Sequence, residues 1–296
     1  MHAASLPAFA MSHGVAPGAL VARSHLPWPL PARSVVVDTR RRAVCVRRSV
    51  AGGLCLNPRM LLTSRGRLAS WRNVRWLLGA LRLTGAETAI VVGDRARRED
   101  FVAGMLYVAG QRRGEVVADQ VTAWLARHPG ALGAGTTRGV FREAIYTAWP
   151  RTRLVVLRQE LAARPPTGGE GYLPVDGRAR GRYRLGHIPG ARSLPMADVG
   201  RDRTAMRSLI FARRPVVAYG AGPYGSMAYF ARLRMLAVRA RVFAGGWRDW
   251  TRGRGVRARP GRTPGLPAPD KSLAVASVGA AIAAIMVLVW RMTRRR

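Results

Sequence analysis

Cys45 and Cys55 are the only thiols in the 296 residues, so covalent sulfur chemistry would have to run through one of them. Neither sits in a Cys-x-x-Cys spacing, which argues against a zinc site, and one possible pair is not a disulfide framework. Each is expected as a small buried hydrophobe, and no metal or cofactor is expected. The other chemical signal is charge. Lysine and arginine number 50 against 15 acidic residues, for a net charge of +35, and Lys271 is the only lysine. Such a field attracts polyanions. Arginine is nevertheless spread through apolar and polar segments alike instead of gathering on one face or tail, as in a nucleic-acid binder. The excess therefore reads as compositional bias. Nucleic acid is not an expected partner, and anionic lipid is favoured over it.

The elements that would position such residues are short. The runs VVVD (35–38), AIVV (89–92), YLPVD (172–176) and PVVAY (215–219) are separated by segments of helical spacing. In one of these, Leu68, Trp71, Val74, Leu78 and Leu81 recur at steps of three and four. Apolar strands alternating with helices imply an α/β protein with a mostly parallel sheet covered on both sides. Hydrophobic residues at 48% and charged residues at 22% exclude wholesale disorder, and the length suits two modest domains.

The ends read differently. Residues 1–33, rich in Ala, Pro and His, read as a loose leader and lack the pattern of a secretory signal. Residues 272–290 run without a charge for 19 positions, just enough for a helix to cross a bilayer core of roughly 30 Å. This predicts a single C-terminal transmembrane anchor. A Gly/Pro/Arg tether (253–271) precedes it and a basic tail (291–296) follows. Arginine counts on either side lean toward a cytoplasmic location for the folded part.

Between the ends the chain repeats itself. VVVDTR at Val35 returns as LPVDGR at Leu173, and eleven residues after each Asp comes a turn, SVAGG at Ser49 and HIPGA at His187. A strand ending in glycine follows, at Gly93 and at Gly220, then a short loop and an apolar helix. From turn to glycine takes 44 residues in the first copy and 33 in the second, which places the extra residues in the TSRGRLASWRN stretch.

In the second copy the set VDGR, GHIPGA (Gly186–Ala191), VVAY, a six-residue loop (Gly220–Gly225) with a helix opening at Ser226, and AGGWRDW (Ala244–Trp250) closely resembles the rhodanese (sulfurtransferase) family. The first copy is degenerate and resembles it only through the repeat. The resemblance implies two tandem rhodanese-like domains, 34–126 and 151–252, joined by a linker (127–150). It also implies sulfur transfer, from a donor such as thiosulfate to a thiol or cyanide, through a cysteine that begins the loop. There the loop N–H groups and the following helix N-terminus would stabilise a thiolate or persulfide. Gly220 stands at that position, and Gly93 in the first copy, so neither copy has the nucleophile.

What remains of the loop, Gly220, Ala221, Gly222, Pro223, Tyr224, Gly225 and Ser226, offers either a plain turn or a cradle for an oxyanion or sulfur anion. Tyr224 is the residue best placed to meet a ligand or partner. The resemblance gives Asp176, Arg178, His187, Trp247 and Trp250 structural roles, and Asp38 and Arg40 match the Asp-x-Arg pair. The leading expectation is a membrane-anchored, non-catalytic relative of sulfurtransferases that binds a sulfur-containing anion or a partner protein. The alternatives are an active sulfurtransferase using Cys45 or Cys55, and a basic scaffold on anionic lipid or nucleic acid.

Overall fold

The computed structural model describes residues 19–139, 146–164 and 171–252. The anchor, tether and basic tail expected over 253–296 lie outside the described residues, as do residues 1–18 of the leader. Among the described residues no helix is long and apolar enough to cross a membrane.

The first half runs β1 (Ala19–Arg23), β2 (Ser34–Asp38), α1 (Arg42–Arg47), β3 (Ser49–Val50), β4 (Leu54–Cys55), α2 (Trp71–Ala80), β5 (Thr88–Gly93), α3 (Ala96–Ala109), β6 (Arg113–Gln120), α4 (Val121–Arg127) and β7 (Leu132–Gly133). The second half runs α5 (Arg158–Ala163), β8 (Leu173–Asp176), α6 (Arg180–Arg184), β9 (Arg192–Ser193), α7 (Arg203–Ile210), β10 (Val216–Tyr219), α8 (Pro223–Met235), β11 (Ala240–Val242) and α9 (Gly246–Arg252). The four apolar runs of the sequence are β2, β5, β8 and β10. All pairings in the two larger sheets are parallel.

The sheet orders are β1-β6-β5-β2-β4 and β11-β10-β8-β9. Read from β6 and from β11, the two sequences of strands correspond. The correspondence extends one strand further, because Val155 bridges Val242 of β11 in parallel, as β1 does along β6. Both sheets reverse their winding between β2 and β5, or β8 and β10, so the loops leaving those strands open at a switch point where α/β sheets commonly bind ligands.

Local chemistry sets the helix ends. Ser70 caps α2 by accepting the Asn73 N–H at 3.3 Å, and Asp202 caps α7 through Ala205 N–H at 2.9 Å. Gly110, at φ 111°, ends α3 in the left-handed conformation that glycine adopts without strain. Helices α3 and α8 pack on each other between the sheets. A Cβ at Gly104 would stand 2.8 Å from the Met227 carbonyl oxygen, so this crossing is as close as it is because Gly104 has no side chain. Around it Phe101 stacks on Tyr224, and Arg232 pairs with the buried Asp100 at 2.8 Å. The core on this side is shared by both halves, whereas the outer face of each sheet has its own cluster.

Three boundaries differ from the sequence reading. Residues 19–23 are not part of a loose leader: they add a strand to the first sheet through β6, and Leu26 is buried behind them. Part of the expected linker belongs to the first half, since β7 pairs with β3 and Thr136 bridges Leu54. Leu68 precedes α2 instead of riding on it, while Val74, Leu78 and Leu81 are buried as the stripe predicts. The extra residues of the first half fall mainly before α2: that connection runs from Leu56 to Ser70, against Leu194 to Asp202 before α7.

Candidate functional site

The second half holds its switch-point loops with a buried ion pair. Asp176, at the end of β8, takes Arg178 on both carboxylate oxygens, with distances of 2.7 to 3.1 Å. Arg178 continues to the Gly186 carbonyl at 2.6 Å, and the Tyr219 hydroxyl donates to Asp176 Oδ2 at 2.7 Å. Burial, with Asp176 beside it, pushes the Tyr219 hydroxyl far above its usual range, so it stays a donor. The first half repeats the arrangement with Asp38 and Arg40, and Ser49 donates to Asp38 Oδ2 at 2.7 Å. His187 lies flat on Tyr183, with ring centroids 4.0 Å apart, and its Nδ1 meets the Tyr183 carbonyl oxygen at 3.1 Å. Trp250 is buried edge-on against Phe243, and Trp247 lies under the Arg178 guanidinium at 4.5 Å. These five side chains pack on or bond to one another and their neighbours, although the buried Trp250 indole N–H has no hydrogen-bond partner.

The loop after β10 is shorter than the sequence suggests. Helix α8 opens at Pro223 and not at Ser226, because proline has its φ preset for a first helical position, and Ser226 N–H already bonds the Gly222 carbonyl at 2.9 Å. Tyr224, Gly225 and Ser226 are therefore first-turn residues, and only Gly220, Ala221 and Gly222 form a connection. That connection closes on itself. Gly220 N–H donates to Ser226 Oγ at 2.9 Å, while the carbonyls of Gly220 and Ala221 accept the N–H groups of Trp247 and Arg248. A Cβ at position 220 would stand 2.7 Å from the Gly225 carbonyl carbon and 2.9 Å from Ser226 N. The space in front of Gly220 is filled by backbone.

The matching loop of the first half is filled differently. Glu99 turns back from α3, accepting the Arg95 N–H at 3.0 Å and the Thr39 hydroxyl at 3.3 Å, and its Oε1 occupies the place where a Cβ of Gly93 would be. Burial raises the Glu99 carboxyl above its ordinary range, and the N–H donors partly offset this. A carboxylate in the first turn after a glycine-ended strand is the sequence signal that could have revealed this plug.

Cys45 and Cys55 are joined to each other. They are buried, as expected, but as a disulfide linking α1 to β4 and not as two small hydrophobes, and no free thiol remains in the chain. The alternative that uses either cysteine as a nucleophile meets a bonded sulfur. Cys55 pairs with Asp38 across β4 and β2, just as Ser193 pairs with Asp176 across β9 and β8, so the first half has sulfur where the second has a hydroxyl.

At the mouth of the second loop, a cavity of about 190 Å³ is lined by Pro223, Gly245, Arg248 and Asp249 together with Arg65 and Arg67 from the connection before α2. The Arg248 guanidinium stands beside Gly222, 3.7 Å from where a Cβ would be. These arginines are absent from the sequence-based candidates because the two segments meet only in the fold. Tyr224 faces the first half, stacked on Phe101 at 4.8 Å with Arg97 at 5.8 Å from its ring centroid.

An α/β unit with parallel strands, an Asp-x-Arg clamp and a short glycine turn into a helix is what the resemblance to the rhodanese family implies. Comparison with known proteins agrees: residues 158–252 match the family model "Rhodanese-like domain". No curated protein matches the chain. Among solved structures it is similar to a variant of EanB in complex with ergothioneine (TM-score 0.64, 15% identity, covering 79% of this chain and 66% of that one). It is also similar to a probable thiosulfate sulfurtransferase (0.53, 22%, 75% and 96%) and to the 3-mercaptopyruvate sulfotransferase SseA from Escherichia coli (0.56, 15%, 73% and 93%). The chain spans just under two thirds of the length of EanB. At these identities the likeness is one of fold.

Proposed function

We propose that the chain is a tandem rhodanese-like protein that has given up persulfide chemistry and binds a small sulfur-containing oxyanion, of the thiosulfate type, at the mouth of the second loop. The observation that carries this reading is the filled space at Gly220. A nucleophile there would need a Cβ, and backbone occupies its place. Matching strand orders and matching Asp-x-Arg clamps support descent of both halves from one unit. The rim of Arg248, Arg65 and Arg67 supports the anion, because guanidinium pairs an oxyanion with two parallel donors and the small cavity suits a single such group. The uncharged stretch at 272–290 supports attachment to a membrane, while the Cys45–Cys55 disulfide speaks against the cytoplasmic side, where thiols are kept reduced.

The test has two arms. The full chain incubated with thiosulfate and cyanide should form no thiocyanate above the uncatalysed rate. Thiosulfate should raise its melting temperature, and Arg248→Ala should remove most of that rise. Turnover of thiosulfate, or a thermal shift indifferent to Arg248, would overturn the reading.

A further inference from the structure

A second cavity, lined mainly by the first half, is much larger, about 880 Å³. Its wall carries five arginines: Arg41 and Arg42 at the start of α1, Arg59 in the turn after β4, Arg98 in the first turn of α3, and Arg138 beyond β7. No Asp or Glu lines it. Among the described residues none of the five forms an ion pair, although eight arginine–carboxylate pairs occur elsewhere. The acidic residues that neighbour Arg41, Arg42 and Arg98 in sequence are already engaged: Asp38 holds Arg40, Glu99 plugs the first loop, and Asp100 holds Arg232. The cavity opens beyond the carboxyl ends of β2 and β4 and is bordered by Arg98 of the helix that follows β5, beside the switch point between β2 and β5.

We propose that this cavity binds a phosphorylated organic anion of nucleotide size. Five arginines around one space, of which Arg138 also lies over the Trp76 ring at 5.7 Å, repel each other unless an anion with several charges lies among them, and a guanidinium can hold a phosphate through two parallel hydrogen bonds. A lone sulfate-sized ion would leave most of the volume to water, whereas this volume falls within the roughly 300–1,000 Å³ range of sites for small organic ligands. The rest of the wall suits the uncharged part of such a ligand: Met60 and Leu62 are apolar, and Tyr224 arrives from the second half with one face already stacked on Phe101. Cys55 is part of the wall, and its bond to Cys45 ties the helix that begins with Arg42 to β4, which restrains that part of the wall before a ligand arrives. The inference goes beyond the proposed function and does not rest on it, since the two cavities share no residue.

Titration calorimetry of the full chain at physiological salt, with ATP, tripolyphosphate and adenosine and without added metal, tests it. ATP should bind, tripolyphosphate more weakly, and adenosine not measurably. An Arg59→Glu/Arg98→Glu variant should lose at least about tenfold in ATP affinity, the order expected from losing two charge-assisted contacts. Arg153→Glu/Arg203→Glu, which makes the same change of net charge at exposed positions, should keep it. Absence of ATP binding, or equal losses in the two variants, would overturn the site. Equal affinity for ATP and tripolyphosphate, or binding of adenosine alone, would overturn the ligand class.

Discussion

The loops that follow β5 and β10 leave equivalent strands of two sheets with corresponding order, yet their cradles are closed by different means. After β5 the obstruction is the end of a side chain: the Glu99 carboxylate lies against Gly93 and takes the Arg95 N–H. After β10 it is backbone, with Gly225 and Ser226 against Gly220 and the Ser226 hydroxyl taking the Gly220 N–H. A carboxylate can swing aside, but the first turn of a helix cannot move without the helix. The first loop is thus closed by its own side chain, and the second by backbone.

The clamps beneath the loops give the largest expected effect. Asp38→Ala and Asp176→Ala each leave a buried guanidinium unpaired, and each should cost about 3–5 kcal/mol in urea unfolding. A cost below about 1 kcal/mol for either one would show that only one half uses the clamp to hold its loops. The disulfide is the next difference. It exists only in the first half, and replacing Cys45 and Cys55 by Ser together should cost about 2–3 kcal/mol for a loop this short. The native protein should release no thiol to a thiol-reactive dye until it is reduced, whereas a free thiol in the native state would restore the cysteines as candidate nucleophiles.

Gly220→Cys should destabilise by about 1–3 kcal/mol through overpacking against backbone. It should also fail to gain thiosulfate turnover. Gly93→Cys in a Glu99→Ala background should be clearly milder by the same measurement. Equal costs for the two would erase the distinction between a movable and a fixed obstruction. The smallest effect is electrostatic. Burial pushes the Asp100 carboxyl up to about 7 in spite of Arg232, and raises Glu99 beside it. A carboxyl that holds its proton more tightly when folded stabilises the fold at low pH, and that stabilisation is lost as pH rises through the folded value. Unfolding free energy should therefore fall between about pH 4 and pH 7, by at most about 1.4 kcal/mol per pH unit for Asp100, and Asp100→Asn should flatten the slope.

Much of this protein was legible from the chain. Alternating runs placed β2, β5, β8 and β10, because strand burial leaves a local pattern, and the repeated Asp-x-Arg spacing located both clamps, because the paired groups are two residues apart. What escaped depends on contacts far apart in sequence. The strand at Ala19–Arg23 carries no strong apolar run and is fixed by pairing with β6. The start of α8 was set by a proline whose first-turn role competed with an expected loop. Cys45 and Cys55 became a disulfide because α1 and β4 were folded side by side. The charge of the chain was countable residue by residue, but sorting arginines into paired and unpaired required knowing which of the few carboxylates reached them. Periodicity and short-range spacing thus determined the layers, while tertiary packing alone decided that both cradles are shut and that five arginines share one cavity. Filled space and uncompensated charge are properties of neighbours in three dimensions.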